Sequence, residues 1–230
     1  MRAMRADAED NRRALLEAAR EIYVEEGTSV ALDKIAKRAG VGIGTLYRRF
    51  PDRDALLRGV LVDLFESMSA AVRRAEAEAR DAPDGPPAWE AVVRAVAGLG
   101  LGPTLPVIFR ERFDLIDEPA VAAAMRGAIT GVEGVYRRAQ EAGLLRADVS
   151  FLEVQMLAGM LSQSGPSRPP MIDPETLTDR LVGILLDGLR AGPAHRALPG
   201  EPTVFSPLDP DDRAAVERAI AEENERRARG

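Results

Sequence analysis

The sequence predicts an all-α fold, with a small N-terminal three-helix domain and a larger helical domain behind it. Three observations carry this. Ala, Leu, Arg and Glu dominate and β-branched runs are absent. Apolar residues recur every three or four positions, the spacing of one helix face. Gly and Pro fall where helices stop and start.

The first helix is expected over residues 11–26, capped by Asp10 or Asp7, with Leu15, Ala19 and Ile22 on one face and Gly27 as its stop. A short helix follows over 32–38, with Ile35, Ala36 and Ala39 inward and Gly40 ending it. A third covers 43–50. Pro51 and Asp52 break the chain, and Asp52 can cap a long fourth helix reaching about residue 80. Its apolar stripe is Leu56, Leu57, Val60, Leu61, Leu64, Phe65 and Met68. The run DAPDGPP at 81–87 reads as a loop.

Beyond it, helices are expected over 88–99 and 105–115, separated by a break at 100–103. A long one covers 119–142, with Pro119 in its first turn and Gly143 at its C-cap. Gly127, Gly131 and Gly134 inside it cost about 1 kcal/mol each relative to Ala and suggest a kink or a close helix contact. Two more helices span 149–163 and 174–190, around the loop SGPSRPP. The tail from Gly192 is Pro-rich and then charged, and partial order is expected for its 209–229 stretch. The domains are therefore 1–54, 55–192 and a tail, 193–230.

Composition narrows the chemistry. There is no Cys, hence no disulfide, thiol nucleophile or Cys-ligated zinc. The single histidine, His195, lies in a Pro/Gly-rich stretch and can form no cluster. Asp114, Asp117 and Glu118 are acidic without a histidine partner and read as a helix end and loop face, so no metal and no cofactor are expected. Ser162 and Ser164 have no nearby base, and GVGIGT departs from a phosphate-binding glycine loop, so an enzyme is not expected. No apolar run spans a membrane, and MRAMRADAED lacks the core of a signal peptide. The chain reads as a soluble cytoplasmic protein.

The net charge of -6 argues against nucleic acid, but its distribution does not. Residues 61–230 hold 19 basic against 27 acidic residues, a net of -8. Residues 31–53 hold six basic against two acidic, a net of +4. A local basic patch can steer toward DNA whatever the total, and a solvated charged face is the other reading.

That patch coincides with two short helices joined by AGVG, a helix-turn-helix signal whose second helix enters the major groove. Thr45 and Tyr47 offer hydroxyls to phosphate, and Arg48, Arg49 and Arg53 add charge. Ile43 can touch a thymine methyl. Leu46 and Phe50 face the small core.

Residues 15–57 closely resemble the DNA-binding domain of the TetR family of bacterial transcriptional regulators. The matching pieces are IAKRAGV at 35–41, GTLYRRF at 44–50 and the charged pair with AL that opens the fourth helix. The resemblance implies that Thr45 and Tyr47 anchor phosphates. It sets Arg53 where the family often has a phosphate-binding Lys, and puts Ile43, Arg48 and Arg49 at positions that vary with the operator. Two departures are Ala31, where the family caps the second helix with Ser or Thr, and Gly42, often Ser.

RRAQEAGLLRADV at 137–149 resembles a junction recurring in the same family. The resemblance implies an operator DNA partner, a small-molecule effector and a homodimer joined by the last two long helices. Their stripes include Val154, Leu157 and Leu161 on one helix, and Leu177, Leu181, Ile184 and Leu185 on the other. A core within one protomer is the other reading of these stripes. Pocket candidates are Phe65, Trp89, Phe109, Phe113, Met125, Tyr136, Met156 and Met160, each equally able to be plain core. Their apolar majority points to an apolar or amphipathic effector. The expected function is a regulator, a repressor by default. The alternative is a helical protein-interaction or small-molecule-binding module without DNA function.

Overall fold

The computed structural model describes residues 2–82, 85–99, 101–161, 173–193, 196–203 and 209–229. The loop SGPSRPP, with Ser162 and Ser164, and His195 lie outside the described residues. Ten α-helices run in order among the described residues: α1 (Arg2–Glu26), α2 (Leu32–Arg38), α3 (Ile43–Arg49), α4 (Arg53–Asp81), α5 (Ala88–Gly98), α6 (Leu101–Arg112), α7 (Pro119–Glu141), α8 (Phe151–Leu161), α9 (Pro174–Leu189) and α10 (Pro210–Arg229). A 3-10 turn, Phe113–Asp117, joins α6 to α7. The fold is all-α, as expected.

Three bounds differ from the expectation. α1 begins at Arg2, not near residue 11, because nothing in the Ala/Arg/Asp run before it breaks a helix. Asp7 and Asp10 lie inside it, and Asp10 accepts from Arg13 instead of capping. α6 begins at Leu101, so the break expected at 100–103 is shorter. Pro103 costs little there, because first-turn N–H groups have no helical partner. The 209–229 stretch, expected to be partly ordered, is the whole of α10, supported by Ala and Glu propensity and by Arg213–Glu217 and Arg229–Glu225 pairs.

By packing, the chain divides into two compact units. The first holds residues 1–67 and 103–127. Its core is Leu15, Leu16, Ile22 and Tyr23 of α1, Ile35 of α2, Leu46 of α3, and Leu56, Leu57, Leu61 and Leu64 of α4. Ile108 and Leu115 are also fully buried. Gly59 permits the close approach of α4: a Cβ there would stand 2.7 Å from the Phe50 ring.

The second unit holds residues 68–102 and 128–230. Here α5 packs on α8 and α9. Glu90 of α5 is buried, and the Arg190 guanidinium at the end of α9 donates to it twice, from Nε at 2.9 Å and Nη2 at 3.1 Å. A buried carboxylate needs such a partner. α7 ends as expected at Gly143, with φ +68°. Leu144 N–H donates to Ala139 O and Gly143 N–H to Gln140 O, which satisfies the last carbonyls. α8 opens with a reciprocal cap: Glu153 N–H donates to Ser150 Oγ, and Ser150 N–H to the Glu153 carboxylate. No helix among the described residues is long and apolar enough to cross a membrane.

Candidate nucleic-acid interface

The helix-turn-helix is built by one turn. Gly40 has φ +70°, a conformation that other residues adopt only with strain. Val41 N–H donates to Ala36 O at 3.0 Å and Gly40 N–H to Lys37 O at 3.2 Å, closing α2 and redirecting the chain into α3. Ala31 stands at the N-cap of α2 and Gly42 at that of α3, neither with a side-chain cap. The start of α4 is capped, with Ala55 N–H donating to Asp52 at 2.6 Å.

Burial then orients α3. Leu46 is fully buried and Phe50 nearly so, which turns the opposite face outward. Ile43 is 42% exposed and Tyr47 51%. Arg48 and Arg49 are exposed and Thr45 half-buried, with Arg48 Nη2 donating to Thr45 Oγ1 at 3.4 Å. Five of the six expected DNA-contact residues therefore share one short helix, whose apolar residues hold it down.

Arg53 is placed differently. Its Nη1 donates to both Thr28 O and Val30 O in the turn between α1 and α2. Lys34 pairs with Glu26, and Arg38 with Glu21 and Glu25 of α1 at 2.9 Å each. Those glutamates hold Arg38 firmly protonated, while Arg38 lowers the Glu25 carboxyl. So three of the six cations in 31–53 are spent internally. Arg48, Arg49 and Lys37 remain on the outside, and Lys37 has no partner among the described residues. Lys37 was not singled out from sequence. Its place opposite Ile35 and Ala36 on α2 is the signal that could have found it.

The first unit also ties this head to the end of α6. Thr28 Oγ1 donates to Glu111, and Arg112 pairs with Asp54 at the start of α4 and with Asp114 at 2.8 Å. Arg58 reaches Glu118 at 3.3 Å. The acidic group at 114–118 is thus a 3-10 turn with ion pairs at both ends. No group of three or more metal-ligating side chains occurs among the described residues.

The pocket candidates divide between the units. Phe65, Phe113 and Met125 are buried in the first, and Phe109 meets Phe113 edge-on at 5.6 Å. In the second, Trp89 lines a cavity of about 430 Å³ and Tyr136 another of about 490 Å³. Met156 and Met160, expected toward a pocket, stand on the outer face of α8. Val154 and Ala158 take the inner face, so Met156 and Met160, each two positions on, point away. Among the expected interface residues, Val154 is buried within the protomer. Leu161, Leu177, Leu181 and Leu185 are half-buried, and Leu157 and Ile184 are exposed.

A helix-turn-helix head on an all-helical body defines a class, and comparison with known proteins identifies the family. Residues 15–60 match the family model described as bacterial regulatory proteins of the tetR family. Residues 89–191 match the model for the C-terminal domain of SbtR-like transcriptional regulators. The chain belongs to the TetR family. A 66-residue stretch is 41% identical to an HTH-type transcriptional regulator of Staphylococcus aureus strain USA300, covering 27% of this chain and 36% of that relative. Among solved structures, a TetR transcription regulatory protein of Mycobacterium vanbaalenii is 29% identical over 82% of this chain and 99% of its own, with a TM-score of 0.55. LfrR of Mycobacterium smegmatis, solved in complex with proflavine, is 26% identical over 79% of this chain and 97% of its own, with a TM-score of 0.54.

Proposed function

We propose that this chain is a sequence-specific DNA-binding transcriptional regulator that works as a homodimer. It acts as a repressor and leaves its operator when a small apolar or amphipathic molecule binds. The observation that carries this is the outward face of α3, where an apolar residue, a phenol and two guanidiniums stand exposed on a helix pinned by Leu46 and Phe50. In the major groove, such a set anchors phosphates and reads base edges. The complex of LfrR with proflavine supports the binding of a small molecule.

In this reading the switch runs through α6 as well as α4. The end of α6 is bonded to the head through Glu111 and Arg112, so a shift of α6 would be felt at Thr28 and Asp54. Ligand and operator would then weaken each other's binding by the same factor.

Selection from a randomised duplex library at fixed salt tests the division of roles on α3. Tyr47→Phe is expected to weaken binding to all duplexes alike, by about three- to tenfold for the loss of one phosphate contact. Arg53→Ala should chiefly lower the melting temperature, because it strips two carbonyls of their donor. Ile43→Ala and Arg49→Ala should change the preferred sequence, with about 1–3 kcal/mol of discrimination lost at one base pair for a bidentate arginine. A preference reshuffled by Tyr47→Phe but untouched by the other two would refute these assignments.

A further inference from the structure

The cavity of about 430 Å³ in the second unit lies among the end of α4, the start of α5 and the end of α7, and falls in the size range of small-molecule sites. Its apolar lining includes Ala79, Val135, Ala139 and Leu144. Two polar features set its preference. Trp89 is 1% exposed, and its indole N–H has no hydrogen-bond partner among the described residues. An indole only donates, so whatever satisfies it must be an acceptor. A buried donor without an acceptor is a standing free-energy cost that a ligand can relieve.

The second feature is charge. Arg138 and Glu76 line the cavity and are paired with each other. Arg80 lines it too and has no partner among the described residues. The lining therefore holds two guanidiniums against one carboxylate, and that carboxylate is already taken. A cation would meet two guanidiniums and a carboxylate that is already paired. The neighbouring cavity of about 490 Å³ has no such bias, since its Glu133 and Arg137 offset each other.

We propose that the Trp89 cavity binds a small apolar molecule with a single anionic head, such as a short-chain or aromatic carboxylate. The head takes the Arg80 guanidinium and the Trp89 N–H, and the apolar body lies along Ala79, Val135 and Leu144. This names the chemical class of the effector, and that role rests on the regulator reading above.

Trp89 is the only tryptophan in the chain, so its emission reports on the cavity directly. The probes are octanoate, octylammonium and octan-1-ol, which share a chain and differ in head charge. Octanoate is expected to change Trp89 emission saturably, with a dissociation constant at least about tenfold below that of octylammonium. Arg80→Ala should weaken octanoate about three- to tenfold, a modest factor because Arg80 is exposed, and leave octan-1-ol unchanged. Ala79→Leu, which narrows the cavity at a partly exposed helix position, should weaken both. Equal affinity for the two charged probes, an Arg80→Ala variant that binds octanoate like the parent, or no saturable response would each overturn the site. Anisotropy of a labelled library-selected duplex, read with octanoate saturating, tests the effector role separately. Retained DNA alongside saturable emission would overturn the effector role and leave the site. If no duplex were selected at all, the regulator reading would fail while the emission measurements still judged the cavity.

Discussion

Replacing Leu157 and Ile184 together with glutamate is expected to turn the proposed dimer into monomers that remain folded. Both residues belong to the helices proposed to form the interface. In the protomer Leu157 is 44% exposed and Ile184 67%, so neither is needed for its core. Met156 and Met160 extend the same exposed apolar surface on α8. A carboxylate forced into an apolar interface costs on the order of 2–3 kcal/mol after relaxation. Two substitutions on each of two protomers should raise the dissociation constant more than about a thousandfold. Light scattering should report the mass of one chain, while far-ultraviolet dichroism keeps the helical signal. Leu181 and Leu185 are poorer targets, because both are half-buried in the protomer and a charge there would also disturb its own packing. A dimer that survived Leu157→Glu with Ile184→Glu would move the interface to another face.

Gly102→Ala is expected to destabilise the second unit. α6 and α8 meet backbone to backbone at Gly102 and Gly159. A Cβ on Gly102 would come within 2.5 Å of the Gly159 Cα, and a Cβ on Gly159 within 2.9 Å of the Gly102 Cα. Neither obstacle is a side chain that could turn aside. The helices would have to separate, at about 3 kcal/mol for an overpacked contact. Alanine's better helix propensity returns about 1 kcal/mol. A net loss of about 2 kcal/mol corresponds to a melting temperature lower by roughly 4–8 °C for a domain of this size. Gly98→Ala is the control, since a Cβ there meets nothing within 4 Å. It should be neutral or slightly stabilising. Equal melting temperatures for the two variants would mean that α6 and α8 do not touch at these glycines.

The parts legible in the sequence are those set by local chemistry. Gly40 and Gly143 mark helix ends because only glycine takes the left-handed conformation there without strain, and their backbone bonds follow from it. Asp52 caps α4 by the same local logic. Leu46 and Phe50 were legible because an amphipathic seven-residue helix has one way to face its core. The α8 cap has its own sequence signature, S-x-x-E at 150–153.

What escaped the sequence depended on tertiary partners. Arg53 resembles a phosphate-binding cation, yet the turn 25 residues earlier supplies two carbonyls for it. Lys34 and Arg38 counted toward a basic patch until α1 brought glutamates beside them. Met156 and Met160 could not be oriented by periodicity, because FLEVQMLAGML is apolar on nearly every side. Packing against α5 and α9 decides which side of α8 is inner.

In the proposed function, α3 and its neighbouring exposed cations hold duplex DNA. The most direct test is the affinity for a library-selected duplex as a function of salt concentration. Lys37, Arg48 and Arg49 on each of two heads could neutralise up to about six phosphates, so the logarithm of the association constant should fall linearly with the logarithm of salt concentration, with a slope near -5. An affinity indifferent to salt, or no retention of duplex DNA even at low ionic strength, would contradict the assignment of this face to DNA.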